Sequence, residues 1–337
     1  MNVEELNKIA HKMVAKGRGL LAADESTGTI KKRFDAIGVE NTEENRRDYR
    51  ELMFRGREGM SHISGVILYD ETIRQKAKDG TPLVKIIEDA GAVPGIKVDK
   101  GAKPLAGDPG QTVTEGLDGL RERFQEYHKL GARFAKWRAT YDPLKPSYNA
   151  INANAQALAR YAALAQENGI VPIVEPEVLM DGDNDIAACA AITEWVLKET
   201  FAQLYYARVA LEGMILKPNM IISGLKCAKQ AGVDEVADET VKILKRCVPV
   251  AVPGIAFLSG GQADEPATAH LNAMNARHPN LPWALTFSYG RALQHQPQKA
   301  WAGKASNVAA AQAAFAHRAK MNGLAAKGEW KKDMEKA

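Results

Sequence analysis

The sequence of 337 residues predicts an α/β protein, a single (β/α)8 TIM barrel with an extra N-terminal helix and a C-terminal helix and tail. Eight short apolar segments alternate with helical segments along the chain. Parallel strands need crossovers of this kind, and eight strands close a barrel. No Gly-Ser linker or change in composition divides the chain, so residues 1–337 are expected to form one domain.

The strands are predicted from short apolar runs bounded by turn residues. They cover residues 20–24, 66–69, 93–100, 132–138, 171–178, part of 211–220, 250–258 and 283–287. The helices are predicted from apolar residues at helical spacing and from capping residues such as Ser26 and Ser147. They cover residues 3–16, a segment from 26, 41–54, 82–90, 119–130, 147–168, 185–209, a segment through 242–246, 263–276 and 307–326, with a mobile tail expected at 327–337.

Composition excludes several classes of protein. Lysine and arginine number 45 against 41 acids, an excess too small to indicate nucleic-acid binding. No apolar run reaches the ~18 residues of a membrane span and no signal peptide is visible, so we expect a cytoplasmic protein that binds no membrane. The three cysteines lack paired spacing and are expected to be free thiols. The seven histidines lack zinc-site spacing, so neither a metal nor another cofactor is expected.

Residues 211–220 place Lys217 inside an apolar run of strand length. Pro218 steers the residue before it into the extended region. Burial favours the neutral amine, which is the form that attacks a carbonyl to make a Schiff base. The alternative is a strand-end lysine whose ammonium reaches water.

Charged residues recur where the predicted strands end, which is where a (β/α)8 barrel holds its chemistry. Because side chains alternate along a strand, Lys136 and Arg138 share one face, and so do Glu175 and Glu177. Either glutamate can move protons during Schiff-base formation, and a third acid, Asp24, can accept a hydroxyl proton. The alternative is a solvated barrel mouth with structural ion pairs.

Two groups of residues are suited to bind phosphate. The last two strands lead into glycine-containing loops that expose backbone N–H groups. These loops contain Ser259, Gly260, Ser288, Gly290 and Arg291. A second anion could meet the start of the helix that follows the first strand, through Ser26, Thr29, Lys32, Arg33 and the nearby Lys97. The alternatives are ordinary glycine turns and a solvated helix face.

Several stretches give the chain a resemblance to the class I fructose-bisphosphate aldolases over residues 10–325. They are LAADESTG at 21–28, NTEENRR at 41–47, GIKVDKG at 95–101, FAKWR at 134–138, VPIVEPEVL at 171–179, LKPNM at 216–220, FLSGGQ at 257–262 and WALTFSYGRAL at 283–293. The resemblance implies a (β/α)8 fold, usually a homotetramer. It also implies reversible cleavage of fructose 1,6-bisphosphate to dihydroxyacetone phosphate and glyceraldehyde 3-phosphate, a step of glycolysis and gluconeogenesis that needs no cofactor.

The resemblance also implies residue roles. Lys217 forms the Schiff base, Glu175 is the main proton donor and acceptor with Glu177 and Lys136 assisting, and Asp24 deprotonates the C4 hydroxyl. The glycine loops bind the C1 phosphate, while Ser26, Lys32, Arg33 and Lys97 serve the C6 end; Arg46 and Arg138 join the substrate residues.

Two positions depart from the family pattern. Thr29 stands where serine is common and keeps the hydroxyl. Many animal members end in a tyrosine that exchanges a proton with the enamine, whereas this sequence ends Met-Glu-Lys-Ala, so that step needs another carrier or runs slowly. Two alternatives remain: a Schiff-base barrel lyase acting on another phosphosugar, and a non-catalytic scaffold whose basic mouth binds acidic partners.

Overall fold

The strands in the computed structural model, which describes residues 2–336, form the predicted barrel and one additional hairpin. They are β1 Gly19–Ala23, β2 Ile63–Leu68, β3 Val93–Lys97, β4 Ala102–Pro104, β5 Thr112–Thr114, β6 Phe134–Tyr141, β7 Val171–Val178, β8 Ile215–Leu216, β9 Gly254–Phe257 and β10 Ala284–Tyr289. The parallel barrel closes in the order β1-β10-β9-β8-β7-β6-β3-β2. The predicted fold class is confirmed.

Helices flank the barrel, and those that lie between successive barrel strands form its crossover connections. They are α1 Val3–Met13, α2 Thr27–Asp35, α3 Glu43–Phe54, α4 Arg57–Met60, α5 Asp70–Arg74, α6 Leu83–Asp89, α7 Leu120–Lys129, α8 Tyr148–Glu167, α9 Ile186–Tyr206, α10 Val233–Cys247, α11 Asp264–Arg277, α12 Arg291–Trp301 and α13 Val308–Ala325. Short 3-10 helices cover Leu211–Gly213, Ala305–Asn307 and Lys332–Lys336.

Helix α1 closes the amino-terminal end of the barrel. Its buried residues Leu6 and Met13 belong to the same apolar cluster as Val93, Phe134 and Val171, the first residues of three barrel strands. Burial of these side chains stabilises this end of the fold. Only the carboxyl end of the barrel is therefore left for polar chemistry.

The structure differs from the sequence prediction at several elements. The sequence predicts no strand between residues 101 and 118, but Thr112–Thr114 pairs with Ala102–Pro104 in an antiparallel hairpin. Strand β6 continues to Tyr141, and β9 begins only at Gly254, because residues 250–252 form a turn. Helix α12, which follows β10, was not predicted. Three-residue strands give little periodic signal, and Pro297 inside α12 argues against a helix in that segment.

The C-terminal segment contacts helix α13. The Nε1 of Trp330 donates to Glu335 Oε1 at 2.9 Å, and Glu335 also accepts a hydrogen bond from Arg318. The predicted mobility of residues 327–337 stays a prediction, and Ala337 lies outside the described residues. Over residues 2–336, no helix has both the length and the apolar character that a membrane crossing requires.

Candidate active site

A cavity of about 920 Å³ opens where the barrel strands end. The predicted site residues that line it are Asp24, Ser26, Thr29, Arg33, Lys97, Lys136, Arg138, Glu175, Glu177, Lys217, Ser259, Gly260, Ser288 and Gly290. The parallel strands bring these residues together from distant parts of the sequence, because all of the strands end at the same rim.

Three predicted site residues lie outside the lining of this cavity. Lys32 is exposed on α2, one position from Arg33, which does reach the cavity. Arg46 is held by an ion pair with Glu71 at 2.6 Å. Arg291 begins α12, and its Nη2 donates to the Gln262 carbonyl oxygen at 3.3 Å.

The backbone around Lys217 is fixed by hydrogen bonds beyond the end of β8. The Lys217 N–H donates to the Val174 carbonyl oxygen at 2.8 Å, and the next carbonyl, of Pro218, accepts from Leu258 N–H at 3.2 Å. The Asn219 side chain accepts from Val178 N–H at 2.9 Å. The segment thus continues the sheet towards both neighbouring strands, which holds the 4% exposed Lys217 at the floor of the cavity.

Two lysines and three acids form a buried charge cluster around this amine. The Nζ of Lys217 lies 3.2 Å from Glu175 Oε1. The Nζ of Lys136 lies 2.7 Å from Asp24 Oδ2, 3.5 Å from Glu175 Oε2 and 3.9 Å from Asp99 Oδ2. Glu175 is therefore placed to exchange protons with Lys217, and Lys136 connects Glu175 to Asp24.

Electrostatics keep Asp24 and Lys136 ionised. Burial alone would raise the pKa of Asp24, but the ammonium groups of Lys136 and Lys217 outweigh it and lower the pKa from 3.8 to about 2. Burial would lower the pKa of Lys136, yet Asp24 and Glu175 raise it above its ordinary value. Asp24 is thus a carboxylate at neutral pH, able to accept a hydrogen bond or a proton from a substrate hydroxyl.

Two further ion pairs border the cluster. Arg138 Nε donates to Glu177 Oε2, and this arginine is only partly buried. Lys97 Nζ lies 2.8 Å from Asp99 Oδ1 and also donates to the Asp99 backbone oxygen at 2.7 Å. Lys97 and Arg138 both line the cavity, so the anionic group of a ligand can compete there with their carboxylate partners.

The loops after β9 and β10 form one side of the cavity. Gly260 has a φ of +56°, and a Cβ added there would lie 2.0 Å from Met180 Cε, so any other residue would be strained and would displace the end of the Met180 side chain. The Ser288 hydroxyl is buried and has no hydrogen-bond partner in the described chain. A polar group without a partner at such a position is available to a ligand.

The other side of the cavity is the start of α2. Ser26 caps this helix, accepting from Thr29 N–H at 3.3 Å, and the two hydroxyl oxygens lie 3.1 Å apart. Arg33 donates to Glu25, which is also 2.7 Å from Gln294 Nε2. Helix-end N–H groups, hydroxyls and a guanidinium together suit an anion.

Sequence reasoning missed several lining residues. Asp99 had a signal, because it lies two positions after Lys97 at the end of β3. Asp70, Arg74 and Tyr127 also line the cavity, but no sequence signal groups them because they come from different helices. Tyr127 of α7 donates to Asp70 at 2.8 Å, and Arg74 pairs with the same carboxylate at 2.9 Å. Burial, followed by this hydrogen bond, raises the pKa of Tyr127 to about 12.

Within residues 2–336, no group of three or more His, Cys, Asp or Glu side chains is arranged to hold a metal ion. The closed barrel and the buried lysine-carboxylate cluster at its carboxyl end define the class of protein, a (β/α)8-barrel enzyme. Comparisons with known proteins identify the family. The family model described as "Fructose-bisphosphate aldolase class-I" matches residues 5–337.

Curated relatives and a solved structure agree with this match. A probable fructose-bisphosphate aldolase class 1 of Xanthomonas campestris is 58% identical, over 98% of this chain and 100% of the relative. The non-muscle aldolase of Lethenteron camtschaticum is 54% identical, over 97% and 91%. The Plasmodium falciparum aldolase, solved with TRAP and an inhibitor, superposes with a TM-score of 0.96 at 49% identity, over 98% and 96%. The chain belongs to the class I fructose-bisphosphate aldolase family and is a lyase.

Proposed function

We propose that this enzyme reversibly cleaves fructose 1,6-bisphosphate to dihydroxyacetone phosphate and glyceraldehyde 3-phosphate through a Schiff base on Lys217. The observation that carries the proposal is the contact of 3.2 Å between Lys217 Nζ and Glu175 Oε1 in a buried cluster. A lysine that is buried beside a proton acceptor has both requirements of an amine nucleophile.

The first half of the reaction forms the iminium. Lys217 gives a proton to Glu175, and its amine attacks the C2 carbonyl to form a carbinolamine. Glu175, assisted by Glu177 and Lys136, returns a proton to the departing hydroxyl, so that water leaves and the C=N bond forms. Lys136, 3.5 Å from Glu175, stabilises the carboxylate between these transfers.

The second half breaks the carbon-carbon bond. Asp24 accepts the proton of the C4 hydroxyl, the C3–C4 electron pair moves into the iminium, and glyceraldehyde 3-phosphate leaves an enamine on Lys217. Protonation at C3 and hydrolysis by water then release dihydroxyacetone phosphate. The low pKa of Asp24, about 2, ensures that it starts this step as a carboxylate.

The two phosphates fit the two sides of the cavity. Ser259, Gly260, Ser288 and Gly290 serve the C1 phosphate, and Arg138, which also lines the cavity, contributes to substrate binding. Ser26, Thr29, Arg33 and Lys97 serve the C6 phosphate. Arg291 donates to the carbonyl of Gln262 and so stabilises the loop after β9. Lys32 and Arg46 take part only if their side chains move, since neither lines the cavity.

Location and assembly are part of the proposal. A cytoplasmic enzyme agrees with the name of a 54% identical Arabidopsis thaliana relative, aldolase 5, cytosolic. A homotetramer would bury the highly exposed Tyr205 and Tyr206, whose ring centroids lie 5.8 Å apart in an edge-to-face arrangement. Sedimentation equilibrium should give about four times the 36.7 kDa chain mass, and a monomer would contradict this part.

Steady-state kinetics on fructose 1,6-bisphosphate and fructose 1-phosphate test the proposed activity. We expect a higher kcat/KM for the bisphosphate, because only this substrate engages both anion sites. Lys217→Met should lower kcat by several orders of magnitude, as expected when a covalent nucleophile is lost. Failure of the wild-type enzyme to cleave either sugar would favour another phosphosugar or a non-catalytic scaffold.

A further inference from the structure

The loop at residues 259–262 contains a buried hydrogen-bond chain behind the proposed C1-phosphate site. The Gln262 side chain is buried, and its Nε2 donates to the Ser259 carbonyl oxygen at 3.2 Å. The backbone N–H of Gln262 donates to the same oxygen at 3.1 Å. On its other side, Gln262 Oε1 lies 2.6 Å from Nδ1 of His270 on α11.

These contacts decide the orientation of the Gln262 amide. A flipped amide would set its oxygen against the Ser259 carbonyl oxygen, and two acceptors cannot share a hydrogen bond. The amide oxygen therefore faces His270, and His270 Nδ1 carries the proton that this contact needs. Burial lowers the pKa of His270 to about 4, so the ring is neutral at pH 7 with its single proton on Nδ1.

The orientation of the Ser259 carbonyl fixes the direction of the next N–H group. In a trans peptide unit the C=O and N–H bonds point in opposite directions. Because two donors of Gln262 hold the Ser259 carbonyl, the Gly260 N–H points away from Gln262. Gly260 lines the cavity, and its N–H donates no hydrogen bond within residues 2–336.

We propose that Gln262, oriented by His270, is a positioning residue that directs the Gly260 N–H at the substrate phosphate. Gln262 also connects this loop to the loop after β10, because its carbonyl oxygen accepts from Arg291. The inference rests on the proposed function, since the anion is the phosphate of a ketose bound to Lys217. Gln262 and His270 do not contact the substrate themselves; they act through the Gly260 N–H.

Two substitutions at His270 test the inference. His270→Leu removes the donor and leaves Gln262 Oε1 buried without a partner. His270→Asn keeps a donor in nearly the same place, because the Asn Nδ2 and the His Nδ1 are both bonded to Cγ. Each variant is incubated with increasing concentrations of dihydroxyacetone phosphate or of dihydroxyacetone and is then reduced with borohydride. The measured quantity is the ketone concentration at which the reduced adduct on Lys217 reaches half of its maximum yield.

We expect His270→Leu to raise this concentration about fivefold or more for dihydroxyacetone phosphate, as expected when one buried hydrogen bond is lost. For dihydroxyacetone it should change less than about twofold, because no phosphate is bound. His270→Asn should restore the wild-type values. If the leucine variant does not fold, Gln262→Met replaces it with the same expected results.

Two results would overturn the inference: an unchanged value for dihydroxyacetone phosphate in the leucine variant, or equal losses for both ketones. A wild-type enzyme that gives no adduct on Lys217 would instead overturn the proposed function, so the two failures are distinguishable.

Discussion

Lys136→Met should lower the free energy of unfolding, and it should do so more strongly at pH 7 than at pH 4.5. It removes an ammonium that lies within 2.7 Å of Asp24 and 3.5 Å of Glu175, while a side chain without branches still fills the space. Loss of one partner of a buried ion pair costs roughly 3–5 kcal/mol of the free energy of unfolding. An unfolding entropy of about 2.1 cal/mol/K per residue then predicts a Tm lower by roughly 4–7 °C.

The loss should depend on pH. The pKa of Asp24 is about 2 in the folded protein against an ordinary 3.8, so its stabilising contribution is present above pH 3.8 and is lost as the pH falls through 2. In Lys136→Met, burial acts on Asp24 without this cation and raises its pKa. The stability deficit of the variant should therefore be larger at pH 7 than at pH 4.5, by about 1 kcal/mol or more.

Urea titration followed by tryptophan fluorescence measures both values. The matched control is Lys100→Met, which removes an exposed lysine at the rim of the same cavity and should change stability by less than about 0.5 kcal/mol. A Lys136→Met deficit below about 1 kcal/mol, or a deficit that is the same at both pH values, would refute the electrostatic reasoning.

Three other predictions concern the metal requirement of the enzyme and the roles of two arginines. Turnover should survive dialysis against a chelator, because a lysine supplies the iminium route; activity that is lost and then restored by zinc would contradict this. Arg33→Met should raise KM for fructose 1,6-bisphosphate about tenfold or more, because the arginine lines the cavity. Arg46→Met should mainly lower Tm, because its partner is Glu71; the reverse pattern in a kinetic and thermal comparison would show that Arg46 binds substrate.

The sequence predicts the barrel, and it also predicts a group of charged residues at the strand ends. Lys217 was recognisable as a lysine in an apolar strand, and alternation along the strands placed Lys136 with Arg138 and Glu175 with Glu177. All five residues line one cavity, because the fold gathers strand ends. The position of a residue along a strand can be predicted from the local sequence, and in a barrel this position also determines which side chains meet.

Residues on helices and loops were harder to predict. Arg291 and Lys32 are adjacent in sequence to residues that line the cavity, but a helix turns successive side chains by about 100° and directs these two elsewhere. The cluster of Asp70, Arg74 and Tyr127 depends on how α5 and α7 pack, and no spacing in the sequence reports that. Gln262 lies in the loop before α11 and His270 lies on α11, so their contact depends on how the helix packs against that loop.

The most direct test of the whole account is the location of the trapped intermediate. Incubation with dihydroxyacetone phosphate and borohydride, followed by peptide mass spectrometry, should place a reduced adduct on the peptide that contains Lys217. Lys97, Lys100 and Lys136 line the same cavity and should stay unmodified. An adduct on Lys136, or a Lys217→Met variant that still cleaves the sugar at a comparable rate, would contradict the assignment of Lys217 as the nucleophile.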